Sequence, residues 1–315
     1  MEFIRGLHNL RPRHRGCVAT IGNFDGVHLG HQAVLGQLAQ QAARFHLPTT
    51  VVLFEPQPLE FFRPDAAPAR LMRLREKLEG LQRCGVDRVL CVRFDPRFAA
   101  LPAEEFIQRI LIEGLEVRHV MVGDDFRFGA GRSGDLSLLI DAGRRHGFEA
   151  AHMNTVTIDG ARVSSTRVRE TLAAADLVTA ESLLGRPYGM SGRVMPGEKL
   201  GRALGVPTAN IPLHRRHVPL TGIFVVEVHG LKPRPLPAVA SIGTRPTVEG
   251  TRMLLEVHLL DFDEDIYGRH LKVSFLHKLR DEQRFDSLEE LRAWMERDIA
   301  ETRTFFSAHP VEGTP

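Results

Sequence analysis

Short, continuous apolar runs alternate with helical repeats through the first half of the chain and stop abruptly near residue 185. No other feature restricts the fold as much. The runs are CVATIGN (17–23), TTVVLFE (49–55), DRVLCVRF (87–94) and RHVMVG (118–123). Their apolar residues are consecutive rather than alternating, as in strands covered on both faces. Between them, 31–45 places Val34, Leu35, Leu38 and Ala42 at helical spacing. REKLEGLQRCG (75–85) is a second helical stretch, and 102–114 opens with Pro102 and an acidic first turn, both helix-start signals. The alternation predicts an α/β fold, a Rossmann-like doubly wound parallel sheet with its ligand at the carboxyl ends of the strands.

GRPYGMSG (185–192), with three glycines and a proline, reads as a domain junction. Beyond it helical patterns vanish for about a hundred residues. GIFVVEVHG (222–230), PAVASIGT (237–244), TRMLLEVHLLDF (251–262) and HLKVSFLHKL (270–279) follow one another without crossover helices. Strands in that order predict an antiparallel β-barrel. Ser287 and Glu290 form a capping box for a C-terminal helix whose Leu288, Leu291, Met295 and Ile299 share a face. The expected domains are 1–184 and 185–308, with a tail at 309–315 and disorder from Ser307 onward.

Lys and Arg total 41 against 39 for Asp and Glu, so no global field recruits nucleic acid or an acidic membrane. With 2 Tyr and 1 Trp, stacking platforms for nucleic acid are few, although 18 Phe remain. Three scattered cysteines without a CxxC suit free thiols in a reducing compartment. Neither a signal peptide nor a membrane span is expected, which points to a cytoplasmic protein with small-molecule partners. Oligomeric state is not legible.

The stretch NFDGVHLGHQ (23–32) follows the first strand. Gly22 and Gly26 allow close backbone approach, and the following helix start attracts anions. His28 and His31, three apart, would share a helix face and could both donate to one phosphate. A metal site or a chance surface pair are the competing readings. VSSTRVRE (163–170) sets hydroxyls before a helix bearing Arg167 and Arg169, which suits either ordinary capping or a triphosphate.

In the second half, MPGEKLGRALGVPTANI (195–211) combines Gly197, Gly201 and Gly205 with Lys199 and Arg202, a cationic loop able to lie over phosphates, or an ordinary hairpin loop. It is not a P-loop, because no Lys-Ser/Thr follows the glycines. After Pro207, Thr208 and Asn210 present oxygens from alternate residues, to one hard cation or as turn formers. Glu256 interrupts the apolar run MLLEVHLL. It is either a carboxylate at the inner edge of a barrel, able to take a proton from a hydroxyl, or a strand residue facing solvent.

GNFDGVHLGH resembles the HxGH signature of the nucleotidyltransferases. Together with FEPQP (54–58), GDDFRFG (123–129) and SSTRVRE it is similar to the N-terminal module of the bacterial bifunctional riboflavin kinase/FAD synthetase family. PTANI, ASIGTRPT (240–247), LEVHLLDFDEDIYG (255–268) and LRDEQRF (279–285) resemble that family's kinase module. The resemblance covers about residues 15–307. It implies phosphorylation of riboflavin to FMN by the second half and adenylylation of FMN to FAD by the first, both with ATP and Mg²⁺. It implies that His28 and His31 stabilise charge on the ATP phosphates. Gly22, Asn23, Phe24, Asp25 and Gly26 would lie along the nucleotide, and Arg162, Ser165 and Thr166 would hold its phosphates. Pro56, Pro58, Asp125 and Phe126 would line the flavin side. In the kinase it implies Gly197, Lys199, Gly201, Arg202, Gly205 and Pro207 at ATP, Thr208 and Asn210 at Mg²⁺, Glu256 as general base, and Arg280 and Glu282 beside riboflavin. A chain with one active half, and a non-catalytic flavin or nucleotide sensor, are the alternatives. Phe224, where many relatives carry Tyr, is expected to affect packing only.

Overall fold

The computed structural model describes residues 1–123, 125–153, 156–197, 201, 204–247 and 250–309. Packing divides the chain into two units, one of Met1–Pro68 with Arg73–Ser164, the other of Ala69–Met72 with Ser165 onward.

The first unit holds strands β1 (Glu2–Arg5) and β2 (Cys17–Ile21), helix α1 (Leu29–Phe45), β3 (Thr49–Glu55), α2 (Pro58–Phe62), α3 (Leu74–Arg83) and β4 (Arg88–Arg93). After these come α4 (Pro96–Ala99), α5 (Ala103–Phe106), β5 (Val117–Val122), α6 (Leu136–His146), β6 (Glu149–His152) and a small hairpin of β7 (Thr157–Ile158) and β8 (Ala161–Arg162). The main sheet has the order β1-β4-β3-β2-β5-β6, and every pair is parallel. Strand order reverses between β2 and β5, so the loops leaving these two strands flank the switch point where doubly wound sheets bind ligands. Val18, Ala19, Val51, Val52, Leu53 and Val120 are wholly buried, as the unbroken apolar runs required. α1 buries Val34, Leu35, Leu38 and Ala42, the residues at helical spacing.

The helix expected over 102–114 is α-helical only to Phe106. From there the turns widen, with the Glu113 N–H donating to Gln108 O at 2.9 Å and the Leu115 N–H to Ile110 O at 3.0 Å. Ile107, Ile110 and Leu111, at spacings of three and four, all reach the core.

The second unit begins with α7 (Ser165–Ala173) and α8 (Leu177–Leu184). Six strands follow: β9 (Gly189–Arg193), β10 (Ala209–Pro212), β11 (Gly222–His229), β12 (Leu236–Thr247), β13 (Gly250–Leu259) and β14 (His270–Arg280). The chain ends in α9 (Leu288–Ala308). The sheet order is β10-β13-β12-β11-β14-β9, antiparallel throughout. Its edges approach each other, and the Met195 N–H donates to Asn210 O at 2.8 Å, so the sheet nearly closes into a barrel. Ile211, Phe224, Val226, Ala240, Leu255, Val257 and Phe275 fill its interior. Phe224 sits edge-on to Phe275, with centroids 5.4 Å apart.

Leu291, Met295 and Ile299 of α9 are half-buried, and Asp298 and Thr302, three and seven residues on from Met295, are buried on the same side of the helix, while Leu288 at its start is 57% exposed. Asp298 is held by Arg280 at the end of β14. One expectation about the C-terminus needs correction. Ser307 and Ala308 are helical rather than disordered, and residues 310–315 of the expected tail lie outside the described residues.

Candidate active sites

β2 ends at Ile21, and the chain turns sharply into α1 through a strained loop. Phe24 (φ 48°), Gly26 (φ 91°) and Val27 (φ 41°) are all left-handed. A bulky or β-branched residue rarely adopts that conformation without a surrounding structure to enforce it. Burial does so here: Phe24, Asp25, Val27 and His28 are only 2–4% exposed, while Asn23 is exposed and Gly22 half-buried.

His28 is not on the helix. It is the N-cap of α1, with extended backbone, and its Nδ1 accepts the His31 N–H at 3.3 Å. The three-residue spacing therefore joins a cap to the first turn instead of marking one helical face. The two imidazoles stack at 3.7 Å between centroids, and Phe24 lies 4.9 Å from the His31 ring. Gly30 is needed for this approach: a Cβ there would stand 3.1 Å from the His28 ring and from Val163 O. Because Nδ1 of His28 accepts, its neutral ring carries the proton on Nε2. Burial, then the neighbouring His28, then the Lys77 charge push the His31 pKa well below its ordinary value, so this ring is neutral as well.

Two further motifs of the first unit also leave strand ends. FEPQP follows β3, and Pro56 is exposed, while Pro58 opens α2 with the Gln57 N–H capped by Glu60 at 2.9 Å. After β5, Asp125 accepts from Arg162 Nη1 at 2.8 Å, and Phe126 stacks on Phe128. Both members of the Asp125–Arg162 pair are half or more exposed. In the second unit Ser165 and Thr166 form the first turn of α7. Arg169, farther along α7, donates Nε to Ala69 O at 2.6 Å.

The barrel organises the other motifs by register. Asn210 of β10 pairs with Glu256 of β13, Glu256 with Ser241 of β12, Ser241 with Ile223 of β11, and Ile223 with Arg280 of β14. Cross-strand partners project from one face. Leu255 and Val257 point into the core, so Glu256 stands half-buried on the opposite, outer face. Of the two positions that the sequence left open for Glu256, strand alternation selects the outer face over the inner edge of the barrel. Thr208 immediately precedes β10. A Cβ on Gly197 would overlap the Asn210 amide, lying 2.7 Å from its Oδ1, and one on Gly201 would come within 3.3 Å of Thr208 Oγ1. The Gly201 Cβ would first meet Val206 O, at 2.4 Å, so Gly201 serves close backbone packing, while Gly197 lets the chain pass directly beside the Asn210 amide. Gly205 (φ 80°) turns the loop, and the exposed Pro207 presents its carbonyl to His258 Nδ1, which donates at 2.8 Å. Lys199 and Arg202 lie outside the described residues.

Arg280 is engaged within its own unit. Its Nε and Nη2 donate to Asp298 at 2.9 and 2.8 Å, and its guanidinium lies 5.1 Å from the centre of the Trp294 ring. It anchors the start of the loop that carries Glu282. The Glu282 carboxylate lies in the space a side chain at Gly243 would need, 3.5 Å from Ser241 Oγ.

Sequence reasoning missed Lys77, Ser241 and His258. Lys77 did leave a signal: in LREKLEGL it falls between Leu74 and Leu81 at helical spacing, on the face that should be apolar. Ser241 and His258 left none, because their importance depends on strand register.

The FAD synthetase family model matches residues 10–167 and the riboflavin kinase family model residues 184–306. The bifunctional riboflavin kinase/FMN adenylyltransferase of Escherichia coli K12 is 57% identical over 307 residues, covering 97% of this chain and 98% of that protein. The proteins of the same name from Pseudomonas fluorescens and Haemophilus influenzae are 55% and 47% identical, each covering 98% of this chain and 100% of the relative. A crystal structure titled as a macrolide-efflux protein from Streptococcus pneumoniae superposes with a TM-score of 0.80 at 30% identity, covering 96% of this chain and 99% of that one. No helix among the described residues is long and apolar enough to cross a membrane. With both family models matched in order along one chain and full-length relatives above half identity, the chain belongs to the bifunctional riboflavin kinase/FMN adenylyltransferase family.

Proposed function

We propose that the barrel transfers the terminal phosphoryl group of ATP to the ribityl hydroxyl of riboflavin, and that the parallel-sheet unit transfers the adenylyl group of ATP to the resulting FMN, giving FAD and pyrophosphate. The observation that carries this reading is that each unit holds its own constellation: stacked histidines at a helix start in one, and Glu256 opposite Asn210 in the other.

In the barrel, Glu256 takes the proton of the attacking hydroxyl. Asn210 and Thr208 are hard oxygen donors suited to Mg²⁺, and Gly197 lets the loop pass close beside the Asn210 amide, where nucleotide phosphates would bring the ion. The bound ion supplies neutralisation of charge developing on the bridging phosphate oxygens. Gly197, Gly201, Gly205 and Pro207 shape the loop over ATP. Lys199 and Arg202 supply its charge. Glu282 orients the flavin side, and Arg280 fixes the loop that carries it.

In the parallel-sheet unit, His28 donates its Nε2–H to a phosphate oxygen, while His31 stacks beneath it and presents its own N–H. A neutral donor beside a helix N-terminus stabilises an anion without adding a second buried charge. Gly22, Asn23, Phe24, Asp25 and Gly26 run along the nucleotide. Arg162, Ser165 and Thr166 hold its phosphates, with Arg162 exchanging Asp125 for phosphate. Pro56, Pro58 and Phe126 border the flavin. The FMN phosphate is itself the nucleophile, so no covalent enzyme intermediate forms. Both reactions need small-molecule substrates only and belong in the cytoplasm.

A chromatographic time course with riboflavin, ATP and Mg²⁺ tests the reading. FMN first and FAD after it is the expected result. FMN alone would leave the histidine site without its activity. Neither product, with flavin or nucleotide still bound, would make the protein a sensor.

A further inference from the structure

The ladder between β10 and β13 starts at Ala209, which pairs with Val257. Thr208 stands one residue before it and, in the same register, falls opposite His258. There side chains take over from the ladder. His258 Nδ1 donates to Pro207 O at 2.8 Å, and Asn210 Nδ2 donates to Thr208 O at 3.3 Å. A carbonyl only accepts, so the imidazole carries a proton on Nδ1. Two consecutive carbonyls are thereby clamped, and the Asn210 amide, with its nitrogen used in this way, turns Oδ1 to another partner. His258 is itself anchored in the sheet, where it pairs with Val239 of β12. It lies two residues beyond Glu256 on β13, and the two side chains project from the same face, with the buried Val257 between them.

We propose that His258 is a positioning residue of the kinase, which pins Pro207 so that the Thr208 hydroxyl and the Asn210 carbonyl oxygen meet the cation brought by ATP in fixed register with Glu256. The inference rests on the proposed roles of Thr208, Asn210 and Glu256 and deepens them. A strand end frays unless something holds it. Mg²⁺ tolerates little departure from octahedral geometry, so ligands on a fraying end bind it weakly. The hydrogen bond from His258 extends the order of the sheet by the two residues that reach Thr208. Its loss should therefore appear first in cation affinity, because Glu256 sits within the ladder and keeps its place without the clamp.

The test uses the full-length protein and two readouts. One is the Mg²⁺ concentration giving half-maximal FMN formation at saturating ATP and riboflavin. The other is Mn²⁺ binding in the presence of ADP, followed by the electron paramagnetic resonance of the free ion, with the barrel site identified by its weakening in Thr208→Val. His258→Phe keeps a ring and removes the donor, and should weaken both by roughly 3- to 10-fold, as for one lost hydrogen bond. Asparagine carries its amide nitrogen near the place of Nδ1, whereas glutamine carries its own near Nε2. His258→Asn should therefore return both readouts toward the parent, and His258→Gln should not. Unchanged cation affinity in His258→Phe, or asparagine and glutamine variants that bind alike, overturns the proposal. Should His258→Phe fail to fold, the contrast between asparagine and glutamine still decides it. Mn²⁺ binding that does not change in Thr208→Val removes Thr208 as a cation ligand and the proposal with it. Weakening in Thr208→Val but not in His258→Phe leaves the ligand reading standing and overturns the role of His258 alone.

Discussion

Asn210 and Glu256 are directly opposed on neighbouring antiparallel strands, on the barrel face turned away from its core. An amide able to hold a cation and a carboxylate able to take a proton are thereby fixed by backbone hydrogen bonds rather than by loop conformation. Glu256→Gln should lower FMN formation by roughly 10²–10⁴-fold, the usual range for a general base, while FMN supplied from outside is still converted to FAD. Gly197→Ala, whose Cβ would overlap the Asn210 amide, should damage the same step without touching the carboxylate. Steady-state rates of the two half-reactions, measured separately, check both.

His28 serves α1 as well as the site, so its substitution mixes two effects. His28→Ala should lose FAD formation and also about 1 kcal/mol of stability from the missing cap. His28→Asn restores a capping oxygen without the ring N–H. Its melting temperature should return toward that of the parent while FAD formation stays low by about 10²–10³-fold, as for loss of one oxyanion donor. Recovery of activity with the cap would show that the imidazole is structural.

At the edge of the parallel sheet, hydrogen bonds from Arg13 and then His14 hold the Glu2 carboxyl at about 2, below its ordinary 4.5. Between these values the unfolded chain binds the proton and the folded one does not. The stability Glu2 contributes is therefore present above pH 4.5 and lost as the pH falls toward 2. Glu2→Gln should flatten that part of the acid-unfolding curve and leave neutral-pH activity alone. Acid titration of parent and variant by circular dichroism is the check.

Leu71 is wholly buried within the barrel unit although it lies in the first quarter of the sequence. Arg215 donates Nη1 to Arg70 O and Leu71 O at 3.0 and 3.2 Å, and Tyr188 donates its hydroxyl to Leu71 O at 3.1 Å. Leu71→Ala should cost about 2–5 kcal/mol and weaken riboflavin phosphorylation on warming. A fragment beginning at residue 185 should melt below the barrel unit of the intact chain, because it leaves the Arg215 guanidinium without those carbonyls. Calorimetry of the two proteins decides the matter.

Much of this was legible because chemistry restricts residue type. The strands β2 to β5 announced themselves through unbroken apolar runs, and HxGH, PTANI and Glu256 stood out as polar groups where packing alone would not put them. The strands β9 and β10 did not, since GMSGR and ANIP are poor in β-formers and pair only because β14 and β13 present matching edges. The burial of Asp298 on α9 was hidden for a related reason: a carboxylate is held inside where Arg280 meets it, and no periodicity reveals a partner on another element. Register is the common missing quantity. It decides that Ser241 adjoins Glu256, and one residue of slip would send every such side chain to the other face.

The placement of Ala69–Met72 bears on how such a chain could have come apart or together during evolution. No single break in the gene returns both units whole: one after Ser164 takes Ala69–Met72 from the barrel unit, and one before Ala69 takes Arg73–Ser164 from the other. Fission into two independent genes would need a second event, either duplicating that short segment or replacing the surface it covers. The two coding regions are in this sense interleaved rather than merely joined end to end, and a lineage that inherits the fused gene has no one-step route back.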